Sequence, residues 1–552
     1  MTHSSSRHEI RIAGKVKRRG DWLALCLLCG YFPAMLLLFP PTHQLGFLLW
    51  VYCAAFFLLA AYSPRWWLWG AVFTICTLGF VPHLYGVFGK DAIDGSLFSI
   101  AHIPQVPPAG LKGRVISLPL LGLPPGLLLW WLREREVIVP RPFVPIAVFC
   151  AVTVLSCFSV LAKYFHVSFT PFDIAVIVPA VFDHLPYARE WWRAGMPYTL
   201  MTFTLTTTFA VLAGSMFLLA ASNLSRRMDI RGTVFSALTL STLVCVAYGL
   251  AQVKGLVPVF TPLGDNESTF QSQGSYGVFV GISCVLLFGR FVLAEKWAPL
   301  YGVLFGISLL GLFINQTRSA LFALAMSPFV IYAGYVLLRR RGVLIMKTWQ
   351  RAVIVLLVAG TLIAACVLSV PQANRSIRQN CGNHFIQRIA KTFDLRRGFN
   401  DISSGRLQIW AACVEVWKEK PLLGCGQGQL YWELKVRGIP DSAANQFLLV
   451  LAELGAVGFG VFLWVVFSIF RNLVGPVVSP RGDYDYPSWL VCLALAVCVL
   501  AQSLTVHVLH FPNLPLLLGV VTAVVISSSE PRPGLMEKGV SGADEQKRAA
   551  VG

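Results

Sequence analysis

Runs of about twenty apolar residues recur along most of this 552-residue chain, each long enough to cross a hydrocarbon core of roughly 30 Å as a helix. Within a bilayer every backbone N–H and C=O must be paired inside the protein. A chain with so many spanning runs therefore has two solutions, a helical bundle or a closed β-barrel. Barrels are written as short segments of alternating hydrophobicity, and these runs do not alternate. Charged residues make up 13% of the chain, against about 25% in a soluble domain. The expected fold is all-α, a polytopic bundle of about 12–14 transmembrane helices with one large polar, helical loop.

Fourteen candidate spans are readable: 22–40, 44–61, 66–84, 114–132, 142–162, 199–221, 232–252, 274–294, 297–314, 318–338, 351–370, 444–470, 487–507 and 510–528. They divide the chain into a basic tail (1–21), a first group of spans (22–370), a polar loop (371–443), a last group of spans (444–528) and a polar tail (529–552). The net charge of +19 would suggest nucleic acid in a soluble protein. Here it fits the excess of Lys and Arg on cytoplasmic loops, and no nucleic-acid partner is expected. With a cytoplasmic N-terminus, alternate connections hold Arg65, Arg133, Arg135, Arg226, Arg227, Arg231, Arg290, Arg339, Arg340, Arg341 and Arg471. The short connections on the other side, such as 41–44 and 315–317, hold almost none. That pattern implies an even number of spans, both termini inside and the long loop outside.

The loop 371–443 carries eleven Lys and Arg against six Asp and Glu. Either a solvated surface or an anionic, phosphate-bearing lipid or glycan accounts for the excess. Ser403-Ser404-Gly405 opens a helix, Leu407, Trp410, Val414 and Trp417 fall on one helical stripe, and Lys420-Pro421 closes it. The glycines of GCGQGQ, Gly424, Gly426 and Gly428, read either as a plain turn or as one whose amides approach phosphate. Two further outer segments carry charge: 163–197, with Asp173, Asp183, His184, Arg189 and Arg193, and 253–274, with Asp265 and Glu267.

Several function classes lose support. There is no Walker A element for an ATP-driven pump, and no CxxC pair or His cluster with metal spacing. Internal repeats are absent and the spans are poor in acidic residues, which disfavours ion-coupled transport. The fourteen cysteines lie mostly in apolar runs, where they act as small hydrophobes. Cys381, Cys413 and Cys425, on the outer side, leave room for one disulfide.

Three stretches, in order, resemble the O-antigen ligase and polymerase superfamily. Asn315-Gln316-Thr317-Arg318-Ser319 is similar to its T-x-S-R or T-x-T-R element. Gly405-Arg406-Leu407-Gln408-Ile409-Trp410 followed by Pro421-Leu422-Leu423-Gly424-Cys425-Gly426 is similar to S-G-R-x-x-x-W … P-L-x-G-x-G. Asn445-Gln446-Phe447-Leu448 followed by Ala452-Glu453-Leu454-Gly455-Ala456-Val457-Gly458 is similar to H-N-x-x-L … A-E-x-G-x-x-G. The resemblance implies a bacterial inner-membrane glycosyltransferase with its large loop in the periplasm. It implies transfer of a glycan from undecaprenyl pyrophosphate to lipid A–core (a ligase) or to a growing polysaccharide (a polymerase), without metal or cofactor. The implied partners are the lipid-linked glycan, the acceptor and membrane lipids.

Carried over residue by residue, the resemblance makes Arg318, Arg406 and Glu453 the candidate catalytic residues. Arginine stays ionised and grips phosphate oxygens bidentately as the leaving group gains charge. Asn445, Arg396, Arg397, Gly424 and Gly426 are the candidate substrate-binding residues, with Asn445 also a candidate helix cap. Two ligase features are missing. Ala443-Ala444 stand where ligases have histidine before the asparagine, and Asp265–Phe270 supplies no arginine before the span at 274–294. His184 and His384 are the outer-side histidines available in their place. The rival readings are a non-catalytic transporter or flippase for lipid-linked polysaccharide, and a scaffold in an envelope-polysaccharide complex.

Overall fold

The computed structural model describes residues 10–12, 15–38, 44–77, 119, 122–134, 137–140, 142–165, 197–256, 268, 270, 273–294, 297–370, 372, 387, 390, 406–439, 443–478, 484–506, 508–510 and 513–528. Every one of the fourteen expected spans meets a helix. These are α1 (Lys15–Leu38), α2 (Gln44–Tyr62), α3 (Pro64–Thr77), α4 (Pro124–Arg133), α5 (Phe143–Phe165), α6 (Pro197–Leu224) and α7 (Ile230–Val253). They continue with α8 (Gln273–Leu293), α9 (Ala298–Asn315), α10 (Arg318–Arg340) and α11 (Thr348–Ser369). After the loop helices α12 (Arg406–Glu419) and α13 (Leu430–Val436) come α14 (Gln446–Val478), α15 (Tyr486–Ser503) and α16 (Asn513–Ser528). Among the described residues, nine helices are long and apolar enough to cross a membrane and three more apolar helices are shorter. The fold is thus the expected polytopic helical bundle.

α8 is the hub. It is buried along almost its whole length, whereas little of α11 is buried. Several polar side chains inside the bundle find partners within it, as a medium without water favours. Thr242 on α7 donates to Ser283 on α8 (2.9 Å). In α10, Pro328 has no N–H to give the Leu324 carbonyl. The Ser327 hydroxyl donates to that carbonyl instead (2.7 Å), so the proline leaves no orphan acceptor.

The two ends of the bundle are built differently. At one end, strand β1 (Ile10–Ile12) pairs antiparallel with β2 (Val137–Val139). The Asn223 carboxamide, at the end of α6, completes the other edge of β2 by pairing with both the N–H and the C=O of Ile138 (2.9 Å each). Ion pairs gather at this sheet end: Arg227 with Glu134 (2.6 Å) and Arg231 with Asp485 (3.6 Å). Arg133 donates to the Ala60 carbonyl at the end of α2 (2.9 Å). Chain alternation then puts the start of α8, the α9–α10 turn, the loop helices and the start of α14 at the opposite end, the loop end.

Candidate functional site

The site is organised by a break in α14. Gly455 has φ 65° and ψ −168°, a region essentially closed to residues with a side chain. An unbroken helix would pair the Ala452 carbonyl with Ala456 N–H and the Glu453 carbonyl with Val457 N–H. Here the segment Pro421–Gly426 is wedged into the gap. Cys425 N–H donates to the Ala452 carbonyl and Gly426 N–H to the Glu453 carbonyl (2.9 Å each). Ala456 N–H donates to the Pro421 carbonyl (2.8 Å) and Val457 N–H to the Leu422 carbonyl (3.2 Å). Two intrahelical bonds are exchanged for four between loop and helix.

This exchange explains the two glycines at its centre. A Cβ on Gly455 would lie 2.2 Å from the Leu422 carbonyl oxygen, and a Cβ on Gly424 would lie 2.4 Å from the Glu453 backbone. Each motif makes room for the other's main chain. Gly426 is placed against α5, where a Cβ would meet Val160 at 2.3 Å. The amides of Gly424, Cys425, Gly426 and Gln427 all donate within the protein, to Lys420, Ala452, Glu453 and the Ser156 hydroxyl. The alternative of a phosphate-approaching turn at Gly424 and Gly426 thus gives way to a wedge whose amides are spoken for.

Glu453 sits at the same break, 1% exposed. Its carboxylate accepts from Leu430 N–H at 3.2 Å, the first residue of α13. Its side chain therefore ties the loop helices to α14 from inside. Around it pack Cys413, Val416, Cys425, Leu434, Leu449 and Ala452, a small apolar core separate from that of the bundle. Burial, then the neighbouring Glu453 charge, pushes the Cys413 thiol up to about 12; the same two causes, in the same order, push Cys425 well up. Both stand as free thiols. Cys381 lies outside the described residues.

α12 begins at Arg406, which is half-buried. Its buried face is Ile409, Ala412, Cys413 and Val416, not the expected stripe of Leu407, Trp410, Val414 and Trp417. That stripe is the flank. Leu407 is exposed, and the two indoles reach over the helix edge to donate to carbonyls, Trp410 to Ala443 (3.0 Å) and Trp417 to Pro421 (3.0 Å). A tryptophan with such a partner belongs at a boundary rather than at the centre of a core. At the end of α13, Arg437 pairs with Glu433 (3.1 Å) and with Glu419, and the Glu419 hydrogen bond raises its pKa further.

Asn445 is 8% exposed and caps α14: its Oδ1 accepts from Phe447 N–H (2.9 Å) and Leu448 N–H (3.1 Å). Just before it, Ala444 has φ 45°, uncommon for alanine. Arg318 opens α10, half-buried, after a turn fixed to the start of α8. In that turn the Asn315 amide donates to the Gln273 carbonyl (2.9 Å), and the Gln273 amide donates back to the Asn315 carbonyl (2.7 Å). Thr317 lies where a Cβ on Gly277 would collide with it at 2.6 Å. Arg396, Arg397, Asp173, Asp183, His184, Arg189, Arg193, Asp265, Glu267 and His384 lie outside the described residues.

Sequence reasoning missed the partners that dock the wedge onto the bundle. Thr204 donates to the Gln427 carbonyl (2.9 Å), the Gln429 amide donates to Thr204 (2.9 Å), and the Gln427 amide reaches Thr207 (3.3 Å). The signal for them was the run Thr204-Leu205-Thr206-Thr207-Thr208 at the start of an otherwise apolar span, opposite two glutamines in a glycine-rich loop.

Residues 303–463 match the family described as O-antigen ligase. No curated protein matches the chain. The match runs from α9 to just past the break in α14, so it contains Arg318, Arg406, both sides of the wedge, Asn445 and Glu453. The docking partners on α5 and α6 lie outside it. Residues 303–463 thus carry the O-antigen ligase family's segment, set in a bundle of helices long and apolar enough to cross a membrane.

Proposed function

We propose that this protein transfers a glycan from undecaprenyl pyrophosphate to a lipid A–core or growing-polysaccharide acceptor, at the loop end of the bundle, with that end in the periplasm. The observation that carries this reading is the wedge. It joins the P-L-x-G-x-G and A-E-x-G-x-x-G elements into one body, so that Arg406 before it and Asn445 beside it are carried on a common frame. The side assignment rests on the arginines that gather at the sheet end, as cytoplasmic loops do.

Transfer breaks the bond between sugar and pyrophosphate, and negative charge grows on the departing oxygens. Arg318, held at a fixed turn, and Arg406, at the start of α12, supply fixed positive charge for it. Arg396 and Arg397 are further glycan or phosphate contacts of the same loop. Asn445 orients the acceptor through the amide nitrogen that its cap does not use. Glu453, buried and bonded to Leu430, works as a positioning residue that holds the loop, alongside Gly424 and Gly426.

The test is Arg318→Ala in a strain lacking the native copy, with lipid-linked and surface-linked glycan resolved by chain length. Transfer should fall by about 10²–10³-fold at a normal protein level, and Arg318→Lys should restore only part of it, because a point charge lacks the planar fork. Full transfer in Arg318→Ala would overturn the assignment. In a deletion strain, long chains accumulating on the carrier lipid identify a ligase; single repeats alone identify a polymerase.

A further inference from the structure

Between α5, α6, α14, α15 and α16 lies a cavity of about 190 Å³. Its walls are apolar, with Phe149, Leu218, Phe462, Val499 and Leu518 among them. Along α16 the lining residues run from Pro515 to Val525, about 15 Å of helix at 1.5 Å per residue, so the cavity is a slot rather than a sphere. An apolar cavity of about 150 Å³ takes up benzene; this one has room for a short length of a single hydrocarbon chain.

One end of the slot is not apolar. Gln446, on the first turn of α14, lines it and is 1% exposed. Its Oε1 accepts from Leu509 N–H at 2.9 Å, in the turn between α15 and α16. That bond fixes the direction of the carboxamide, since a flipped amide would set two N–H donors against each other. Among the described residues the buried Nε2 group has no hydrogen-bond partner. Buried donors are nearly always paired, and an exception asks for a reason. Here the donor sits at the mouth of an apolar slot, one residue from the Asn445 cap at the proposed site of transfer.

We propose that the slot seats the phosphate-proximal isoprene units of the lipid donor, and that Gln446 Nε2 donates to the oxygen joining that chain to its phosphate. The inference rests on the transfer reading above. One slot with the Gln446 donor at its end fits a single-chain lipid; Ser215 and Ser503, also in its lining, donate to carbonyls of their own helices. A phospholipid or a lipid A brings two or more chains to one headgroup. A prenyl phosphate has one chain, with an oxygen on its first carbon where Gln446 offers its N–H.

The test is binding of farnesyl phosphate to the purified full-length protein in detergent, with dodecyl phosphate as the straight-chain comparison. Farnesyl phosphate should bind about ten-fold tighter than dodecyl phosphate, a margin that shape selection in an apolar pocket commonly supplies. Ala496→Phe fills the slot and should weaken farnesyl phosphate by about ten-fold or more. Thr522→Leu, a milder filling of the same wall, serves if that variant does not fold. Gln446→Met removes the donor without burying a charge and should weaken binding by about five-fold; a glutamine that only ties Leu509 would lose stability in this variant and keep the affinity. Equal binding of the two probes overturns the isoprenoid assignment. Unchanged farnesyl phosphate binding in Ala496→Phe and Gln446→Met, in a protein that still transfers glycan, overturns the slot and leaves the transfer reading standing. Normal slot binding together with full transfer by Arg318→Ala overturns the transfer site and leaves the slot.

Discussion

The sheet end and the loop end of this bundle solve the same problem, holding helix ends together, with opposite chemistry. At the sheet end, beyond the short β1–β2 ladder, the ties between helices are charged side chains: Arg227 with Glu134, Arg231 with Asp485, Arg133 on the end of α2. At the loop end the central tie is main chain against main chain, four backbone bonds with a glycine on each side. Side-chain ties tolerate movement and are screened by salt. A backbone wedge fixes position to the width of a methyl group. The loop end is therefore the end where geometry is held tightest, and it is the end that holds the residues proposed for transfer.

The sharpest way to break this contrast is at the glycines. Gly455→Ala should cost about 3 kcal/mol or more, because it combines a forbidden backbone region with a clash on the Leu422 carbonyl. Transfer should vanish with it, and thermal unfolding beside a glycan assay checks both. A fully active Gly455→Ala would mean that the break is not required. An intermediate effect is expected at Glu453. Glu453→Leu leaves Leu430 N–H buried and unpaired, a loss of about 1–3 kcal/mol. Glu453→Gln, which keeps an acceptor oxygen, should retain most stability and substantial transfer. If Gln fails as badly as Leu in transfer while remaining folded, Glu453 acts through its charge and not as a tie. The smallest effect is expected at the sheet end. Arg133 is exposed and donates to the Ala60 carbonyl, so Arg133→Ala should cost about 1 kcal/mol and leave transfer unchanged. A larger loss of transfer there would abolish the distinction between the two ends.

The spans were legible because a bilayer-length apolar run has few other uses: each of the fourteen meets a helix, and among the described residues nine helices are long and apolar enough to cross a membrane. The start and end of α12 were legible for local reasons too, a Gly-containing entry and a proline exit. Its buried face was not. The stripe through Leu407, Trp410, Val414 and Trp417 has helical periodicity, but the neighbours that decide which stripe goes inward are Leu430, Leu434, Leu449 and Ala452, all later in the chain. The wedge was least legible of all. Gly424 and Gly426 read as a turn because glycine most often serves turns. Their partners, the Ala452 and Glu453 carbonyls, exist as acceptors only because Gly455 opens a helix that hydropathy draws as continuous. Asn445 stood out as a candidate cap from its place before the apolar run, a local signal that the bonds to Phe447 and Leu448 match.

The break in α14 also constrains the order in which this protein is made. Opened at Gly455 without the loop, α14 would carry two carbonyls and two N–H groups with no partners, at Ala452, Glu453, Ala456 and Val457, and such groups are prohibitively costly in hydrocarbon. The loop segment Pro421–Gly426 leaves the ribosome first but has nothing to bind until α14 follows it. The helix must therefore enter the bilayer closed and be opened by the loop afterwards, or meet the loop at the membrane surface as it enters. In either route, the last event that completes the loop end is the one that gives α14 its kink.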